Sequence, residues 1–185
     1  MKAQVAIQNS TFSAARLATQ AILILAFAFA TALAAQVKIP VPGTLVPATL
    51  QSAVVLLAGL RLGARKGALS QAIYVAAGAL GLPFFAGASG IAVLFGPTGG
   101  YLVGFVLAAW LAGNLNARFG NGTFVRTWLV TFAASIALFV PGLIQLKFFT
   151  GAEWMQVMAM GLVPFIVGDV LKVTLAATTH SLVRR

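Results

Sequence analysis

Acidic residues are almost missing from this chain. It has two, Glu153 and Asp169, against twelve lysines and arginines, with one histidine and no cysteine. Without thiols, disulfides, zinc–thiolate sites and cysteine nucleophiles are excluded. Two acids and the distal His180 cannot assemble a metal cluster or the convergent groups of an acid–base enzyme. The chain is therefore expected to be no enzyme and to need no metal or cofactor. No G-x-x-x-x-G-K-[ST] phosphate loop is present either, so ATP-driven work would have to come from another subunit. Charge as a whole is scarce: 8% of residues are charged, where a soluble domain averages about 25%.

What fills the space is apolar. Hydrophobic residues make up 61% of the 185 positions, the composition of a protein whose solvent is the lipid bilayer. The length allows one compact bundle and no separate soluble domain, so residues 1–185 are read as a single membrane domain. The net charge of +10 does not point to nucleic acid, because basic residues flanking apolar spans are orientation signals and headgroup contacts.

Six apolar segments can be traced, at about 17–35, 48–60, 67–82, 101–115, 125–140 and 164–182. The fold class is all-α: a polytopic membrane protein with six transmembrane helices in one bundle. Residues 1–15 are polar and read as a short tail or interfacial helix. Ala32-Leu33-Ala34 resembles a small-residue cleavage site, but five further apolar segments follow, and a retained first span is expected. Ala26, Ala30 and Ala34 fall at i, i+4, i+8 and form a flat stripe that lets another helix approach in lipid. Pro141-Gly142 should end or kink the fifth span. Residues 143–163 read as a loop with a short interfacial helix around Glu153–Met158.

Two connections are unusual. Lys38-Ile39-Pro40-Val41-Pro42-Gly43-Thr44-Leu45-Val46-Pro47 cannot continue a helix, yet is largely apolar. An apolar irregular loop at a membrane surface must pack on protein, which makes it a candidate lid. Residues 83–100 are glycine-rich and uncharged, as in a buried or re-entrant loop.

The charges orient the bundle. With six alternating spans and a cytoplasmic N-terminus, Lys2, Arg16, Arg61, Arg65, Lys66, Arg118, Arg126, Arg184 and Arg185 all fall inside, with a cytoplasmic C-terminus as well. Only Lys38 and Lys147 fall outside, the asymmetry expected of membrane proteins. Lys172 remains within the membrane, three residues after Asp169 and on the same helical face. A charge at membrane depth costs at least about 2.5–3.5 kcal/mol, so such residues face a cavity or a partner. In this orientation Asp169, Lys172 and both unusual loops gather on the outer side, around one external pocket. A channel would instead show polar residues from end to end.

Several stretches together resemble the biotin-specific S component of energy-coupling-factor (ECF) transporters, the BioY family. They are Ile39-Pro40-Val41-Pro42-Gly43-Thr44 with Val46-Pro47-Ala48-Thr49-Leu50-Gln51, Leu57–Gly63, Tyr74–Gly87, Gly96-Pro97-Thr98-Gly99-Gly100-Tyr101-Leu102 and Pro164–Lys172. Two positions depart from the pattern: Ala48 stands where phenylalanine is usual, and Ala88-Ser89-Gly90-Ile91 has fewer glycines. The resemblance implies a multi-pass protein of a bacterial inner (cell) membrane that captures biotin outside the cell. Its partners would be a transmembrane coupling subunit and two ATPase subunits, with Ala26, Ala30 and Ala34 facing the coupling subunit. An S component or standalone transporter for another small vitamin is the alternative.

Biotin has two ureido N–H donors, one carbonyl, an apolar body and a carboxylate. An ionised Asp169 could accept the N–H donors. Lys172 could meet the carbonyl or the carboxylate, Gln51 and Thr49 could add hydrogen bonds, and Tyr74, Phe84, Phe85 and Tyr101 could wall the apolar body.

Overall fold

The computed structural model describes residues 2–120 and 123–183. Arg184 and Arg185 of the charge count, and Asn121-Gly122 between the fourth and fifth apolar segments, lie outside the described residues. Seven α-helices occur among the described residues: α1 (Lys2–Gln36), α2 (Gln51–Leu62), α3 (Ala64–Ala79), α4 (Gly99–Phe119), α5 (Phe124–Thr150), α6 (Trp154–Gly161) and α7 (Ile166–Val183). Four stretches are long and apolar enough to cross a membrane, namely Ala15–Gln36, Gly99–Phe119, Phe124–Thr150 and Trp154–Val183. The polar N-terminal stretch is helical from Lys2 and runs into the first apolar segment without a break.

The helices α2 and α3 are shorter. Their 12 and 16 residues reach about 18 and 24 Å at about 1.5 Å per residue, short of a hydrocarbon core of about 30 Å. Gly63 alone separates them, at φ +79°, a conformation glycine adopts without a steric cost. The chain therefore reverses there within one residue, and both helices begin or end beside α4.

Packing centres on α4, which touches α2, α3 and α5, while α1 lies against α2 and α3 and α7 against α2 and α5. Small residues set these approaches. A Cβ on Gly59 would stand 2.2 Å from the Ala109 carbonyl oxygen, and one on Gly113 would stand 2.3 Å from the Ala64 nitrogen. Alanines carry the rest of that seam, with Ala108, Ala109 and Ala112 fully buried. Close backbone contact of this kind is how helices associate where lipid offers no hydrophobic drive.

The fifth apolar segment differs from expectation. It does not stop at Pro141-Gly142: α5 continues to Thr150. Proline removes one backbone donor, but in a membrane bundle neighbouring helices keep such a helix intact. Here Gly142 lies under the Tyr101 ring, where a Cβ would come within 2.5 Å of Cδ1. The missing side chain lets α4 press on the helix at the point where it would otherwise bend. Beyond α5, the short helix around Glu153–Met158 is present as α6, opened by a capping box of Glu153 and Gln156. Pro164 occupies a 3-10 turn, Val163–Phe165, ahead of α7, which puts Asp169 in the first turn of that helix.

Candidate functional site

The proline-rich loop folds into a small hairpin. Strand β1 (Lys38–Ile39) pairs antiparallel with β2 (Ala48–Thr49), Lys38 opposite Thr49 and Ile39 opposite Ala48. Prolines at 40, 42 and 47 keep the intervening residues out of helix and strand. The hairpin is fastened to the glycine-rich loop: Lys38 Nζ donates to the Ala86 carbonyl at 2.9 Å, and Gln36 Nε2 donates to the Pro83 carbonyl at 3.1 Å. Ala86 holds φ +54°, a left-handed conformation uncommon for a residue with a side chain. Strain of that sort persists only where surrounding contacts fix it, and the Lys38 bond is one such contact.

Beneath the hairpin lies a cavity with about 110 Å³ open to the centre of a water molecule, several times the roughly 10–15 Å³ that one water requires. The hairpin supplies Val46 to Thr49 as one wall, and Phe85 and Ala86 of the glycine-rich loop close another. Tyr101, Leu102 and Phe105 of α4, Leu138 and Phe139 of α5, and Phe165 complete the apolar surround. The polar residues are few: Thr49, Gln51, Ser52, Thr98 and Lys172. A mostly apolar hollow with a small set of convergent polar groups is the usual form of a small-molecule site.

Of the eight residues expected to bind a ligand, five line this cavity: Thr49, Gln51, Phe85, Tyr101 and Lys172. Tyr74, Phe84 and Asp169 are not among its lining residues. Tyr74 acts one layer back. It is fully buried, its hydroxyl accepts from Gln51 Nε2 and donates to the Phe84 carbonyl at 3.0 Å. Thr49 donates to Gln51 Oε1 at 2.8 Å, so a hydrogen-bonded chain runs from hairpin to α2 to α3 to the glycine-rich loop. The Tyr74 ring stacks on Phe84 and meets Phe85 edge-on, at centroid distances of 6.1 and 5.7 Å. Tyr101 has both duties, since it lines the cavity while its hydroxyl donates to the Gly161 carbonyl at 2.8 Å.

Asp169 is 5% exposed. Ser135 of α5 donates to its Oδ2 at 2.7 Å, and Oδ1 has no hydrogen-bond partner. Asp169 and Lys172 interact electrostatically along α7, but no contact within 4.0 Å joins them as an ion pair. The carboxylate is thus anchored through Oδ2, while Oδ1 is buried and unpartnered. Ser135, Ser52 and Thr98 were not singled out from the sequence. Ser135 did carry a signal, as the third of the hydroxyls Thr127, Thr131 and Ser135 that recur every four residues along one face of α5.

The alanine stripe of α1 lies off the bundle core. Ala28, Ala32 and Ala35 are the residues buried against the other helices, while Ala26 is exposed and Ala30 and Ala34 are half-buried.

Comparison with known proteins gives a consistent picture. A probable biotin transporter BioY of Pyrococcus horikoshii is 39% identical over 160 residues, covering 86% of this chain and 92% of that protein. The biotin transporter BioY of Thermotoga maritima is 38% identical over 141 residues, 75% of this chain and 81% of that one. Among solved structures, the S-component for biotin from an ECF-type ABC transporter superimposes with a TM-score of 0.85 at 23% identity, covering 91% and 92% of the two chains. That likeness speaks for the fold. The BioY family profile matches residues 3–185, nearly the whole chain, and this protein belongs to the BioY family.

Proposed function

We propose that the chain is the substrate-binding membrane subunit of a biotin uptake system, capturing biotin from the outer side in the cavity beneath the 38–49 hairpin. The observation that carries this reading is the pairing of a mostly apolar hollow containing Lys172 with a buried carboxylate on the same helix whose Oδ1 is unpartnered. A buried polar atom left without a partner costs about 1–3 kcal/mol, more when charged, so such an atom awaits a donor. The ureido N–H groups of biotin are donors of the right kind. Asp169 reaches them when the cavity opens past Lys172, and Lys172 then meets the carbonyl or the carboxylate of the ligand. Thr49 and Gln51 hold the hairpin edge, and Phe85 and Tyr101 cover the apolar body. Tyr74 and Phe84 act by bracing Gln51 and Phe85.

The transmembrane arrangement belongs to the same reading. Helices α1, α2, α3, α4, α5 and α7 serve as six spans of a single membrane domain, with both termini on the cytoplasmic side of a bacterial cell membrane. The shortness of α2 and α3 is then made up by their apolar outer loops, whose Leu80, Ile91 and Phe95 are strongly exposed and sit at the membrane boundary. Energy comes from a transmembrane coupling subunit and ATPases, and the free face around Ala26, Ala30 and Ala34 receives the coupling subunit.

Equilibrium titration of the purified protein with biotin tests the proposal. Affinity between nanomolar and low micromolar, lost for analogues lacking the ureido group, supports it. Absence of biotin binding with tight binding of another vitamin moves the substrate and leaves the transport role in place.

A further inference from the structure

At the far end of α4 from the cavity, the last turn of that helix and the first turns of α5 enclose a shallow cleft walled by Arg118, Phe119, Arg126, Leu129 and Val130. Neither guanidinium has a hydrogen-bond or ion-pair partner among the described residues. No acid is near enough to serve, because the chain's two acids stand before α6 and in the first turn of α7. The polar neighbours, Thr127 and Asn116, are bonded to one another at 3.4 Å and tie the two helix ends together. Gly120 closes α4 by donating to the Asn116 carbonyl, and Thr123 donates back to Gly120. The cleft is therefore held in shape by contacts that leave both arginines uncommitted.

Its other wall is apolar and open: Phe119 and Leu129 are each more than half exposed. Since α4 and α5 are long and apolar enough to cross a membrane, this end of the pair lies at a bilayer surface. Two planar cationic forks above an apolar wall match a phosphodiester continued by acyl chains, because guanidinium donates two parallel hydrogen bonds to phosphate oxygens. Basic pockets between spans at the cytoplasmic surface are suited to anionic headgroups.

We propose that this cleft is a binding site for the headgroup of an anionic phospholipid. Arg118 and Arg126 clamp the phosphate, and Phe119, Leu129 and Val130 carry the first part of the acyl chains. The inference rests on α4 and α5 crossing the membrane and not on the identity of the transported ligand.

The test uses the full chain purified in detergent, supplied with phosphatidylglycerol and phosphatidylcholine in equal amounts, and read by native mass spectrometry. Bound phosphatidylglycerol should dominate in the unaltered protein. The double variant Arg118→Gln/Arg126→Gln should bind it about 25-fold more weakly, at about fivefold per basic group near the surface. Arg61→Gln/Arg65→Gln removes the same charge outside the cleft and should have a far smaller effect. Millimolar inorganic phosphate should not displace the lipid. The proposal is overturned if the unaltered protein shows no preference for phosphatidylglycerol, if both double variants lose it equally, or if free phosphate competes. Biotin binding by the Arg118→Gln/Arg126→Gln protein should be unchanged, which reports folding and keeps this outcome separate from that of the transport reading. Should that variant not fold, the lipid preference of the unaltered protein still decides.

Discussion

Asp169 offers the sharpest test of the capture site, because its two oxygens have different surroundings. The hydroxyl of Ser135 has one hydrogen and two acceptors in reach, the Phe132 carbonyl at 2.8 Å and Asp169 Oδ2 at 2.7 Å. An ionised carboxylate is the stronger acceptor of the two, so the hydrogen points to Asp169. In Asp169→Asn the amide can turn its NH2 toward Ser135, which then donates to the Phe132 carbonyl and accepts from the amide. That leaves a neutral amide oxygen where Oδ1 stood. The substitution therefore keeps the acceptor and removes the charge. Hydrogen bonds to charged groups contribute about 1.5–3 kcal/mol and neutral ones about 0.5–1.5. The difference of about 1–1.5 kcal/mol corresponds to roughly tenfold in affinity. Asp169→Ala removes the acceptor altogether and strands a ureido donor, a loss of about 2–4 kcal/mol or on the order of 100-fold or more. Isothermal titration of both variants with biotin, after circular dichroism shows them folded, should give that graded series. Affinity within twofold of the unaltered protein for both would falsify the placement of Asp169 at the ligand. An equal, severe loss for both would instead show that charge, and not acceptor position, is what the ligand requires.

The other expectations concern the wall, the lid and the partner face. A Cβ on Gly78 would stand 2.3 Å from Cζ of Phe85, so Gly78→Ala should push that ring into the cavity; overpacking costs about 1–3 kcal/mol, read as a lowered midpoint in detergent together with weaker biotin binding. Lys38→Met breaks the bond to the Ala86 carbonyl, and should speed biotin release in stopped-flow displacement while changing the melting temperature little; an unaltered release rate means the hairpin is not a closure. Ala26→Phe places a bulky ring on the exposed part of the α1 stripe and should abolish uptake in cells that supply a coupling subunit, yet leave biotin titration of the purified protein intact. Uptake at the normal rate would return that stripe to the lipid.

Much of this was legible in the sequence, for identifiable reasons. Apolar runs and proline placement marked a helix near every expected span, since burial in hydrocarbon forces backbone groups to pair within each helix. That residues 38–47 leave helix and pack on protein was readable from three prolines in a segment too apolar to be solvated, whereas the pairing of Lys38–Ile39 with Ala48–Thr49 was not. Asp169 and Lys172 stood out because charge is costly there. Boundaries fared less well. The continuation of α5 through Pro141 depends on Gly142 meeting Tyr101, a contact between residues 41 positions apart that no local pattern contains. The roles of Tyr74 and Phe84 were displaced by one layer for a related reason. Composition shows that an aromatic is near a site, but whether it faces the hollow or the residue lining it depends on tertiary placement: Tyr74 follows the face of α3 that also buries Ser70 and Gln71, and Phe84 follows the loop after that helix.

The distribution of small and large residues along these helices accounts for where the hollow lies. Toward the Gly63 turn, Gly59, Gly67 and Gly113 remove side chains between α2, α3 and α4, so the three backbones touch: a Cβ on Gly67 would lie 2.8 Å from the Gly59 Cα. At the other end the same helices carry Gln51, Tyr74, Tyr101 and Phe105, which cannot interleave as closely. Helices pinched at one end and propped at the other must diverge, and the gap fills with whatever the loops provide. Here the hairpin and Phe85 provide walls, and Thr49, Gln51, Ser52, Thr98 and Lys172 the polar contacts. Polar atoms in that gap need partners, whereas the seam below is lined by the buried Ala108, Ala109 and Ala112 and by glycines in close backbone contact. In the proposed reading a ligand entering from the hairpin side meets hydrogen-bonding groups first and the close-packed backbones around Gly59, Gly67 and Gly113 beyond. Delivery to the other side then requires the bundle to move as a body or the α2–α4 seam to part, and a bulky residue at Gly59 distinguishes the two. Gly59→Val should leave little folded protein if the seam must close for stability, and where a second-site change restores folding, uptake should persist under bodily movement and fail under seam opening.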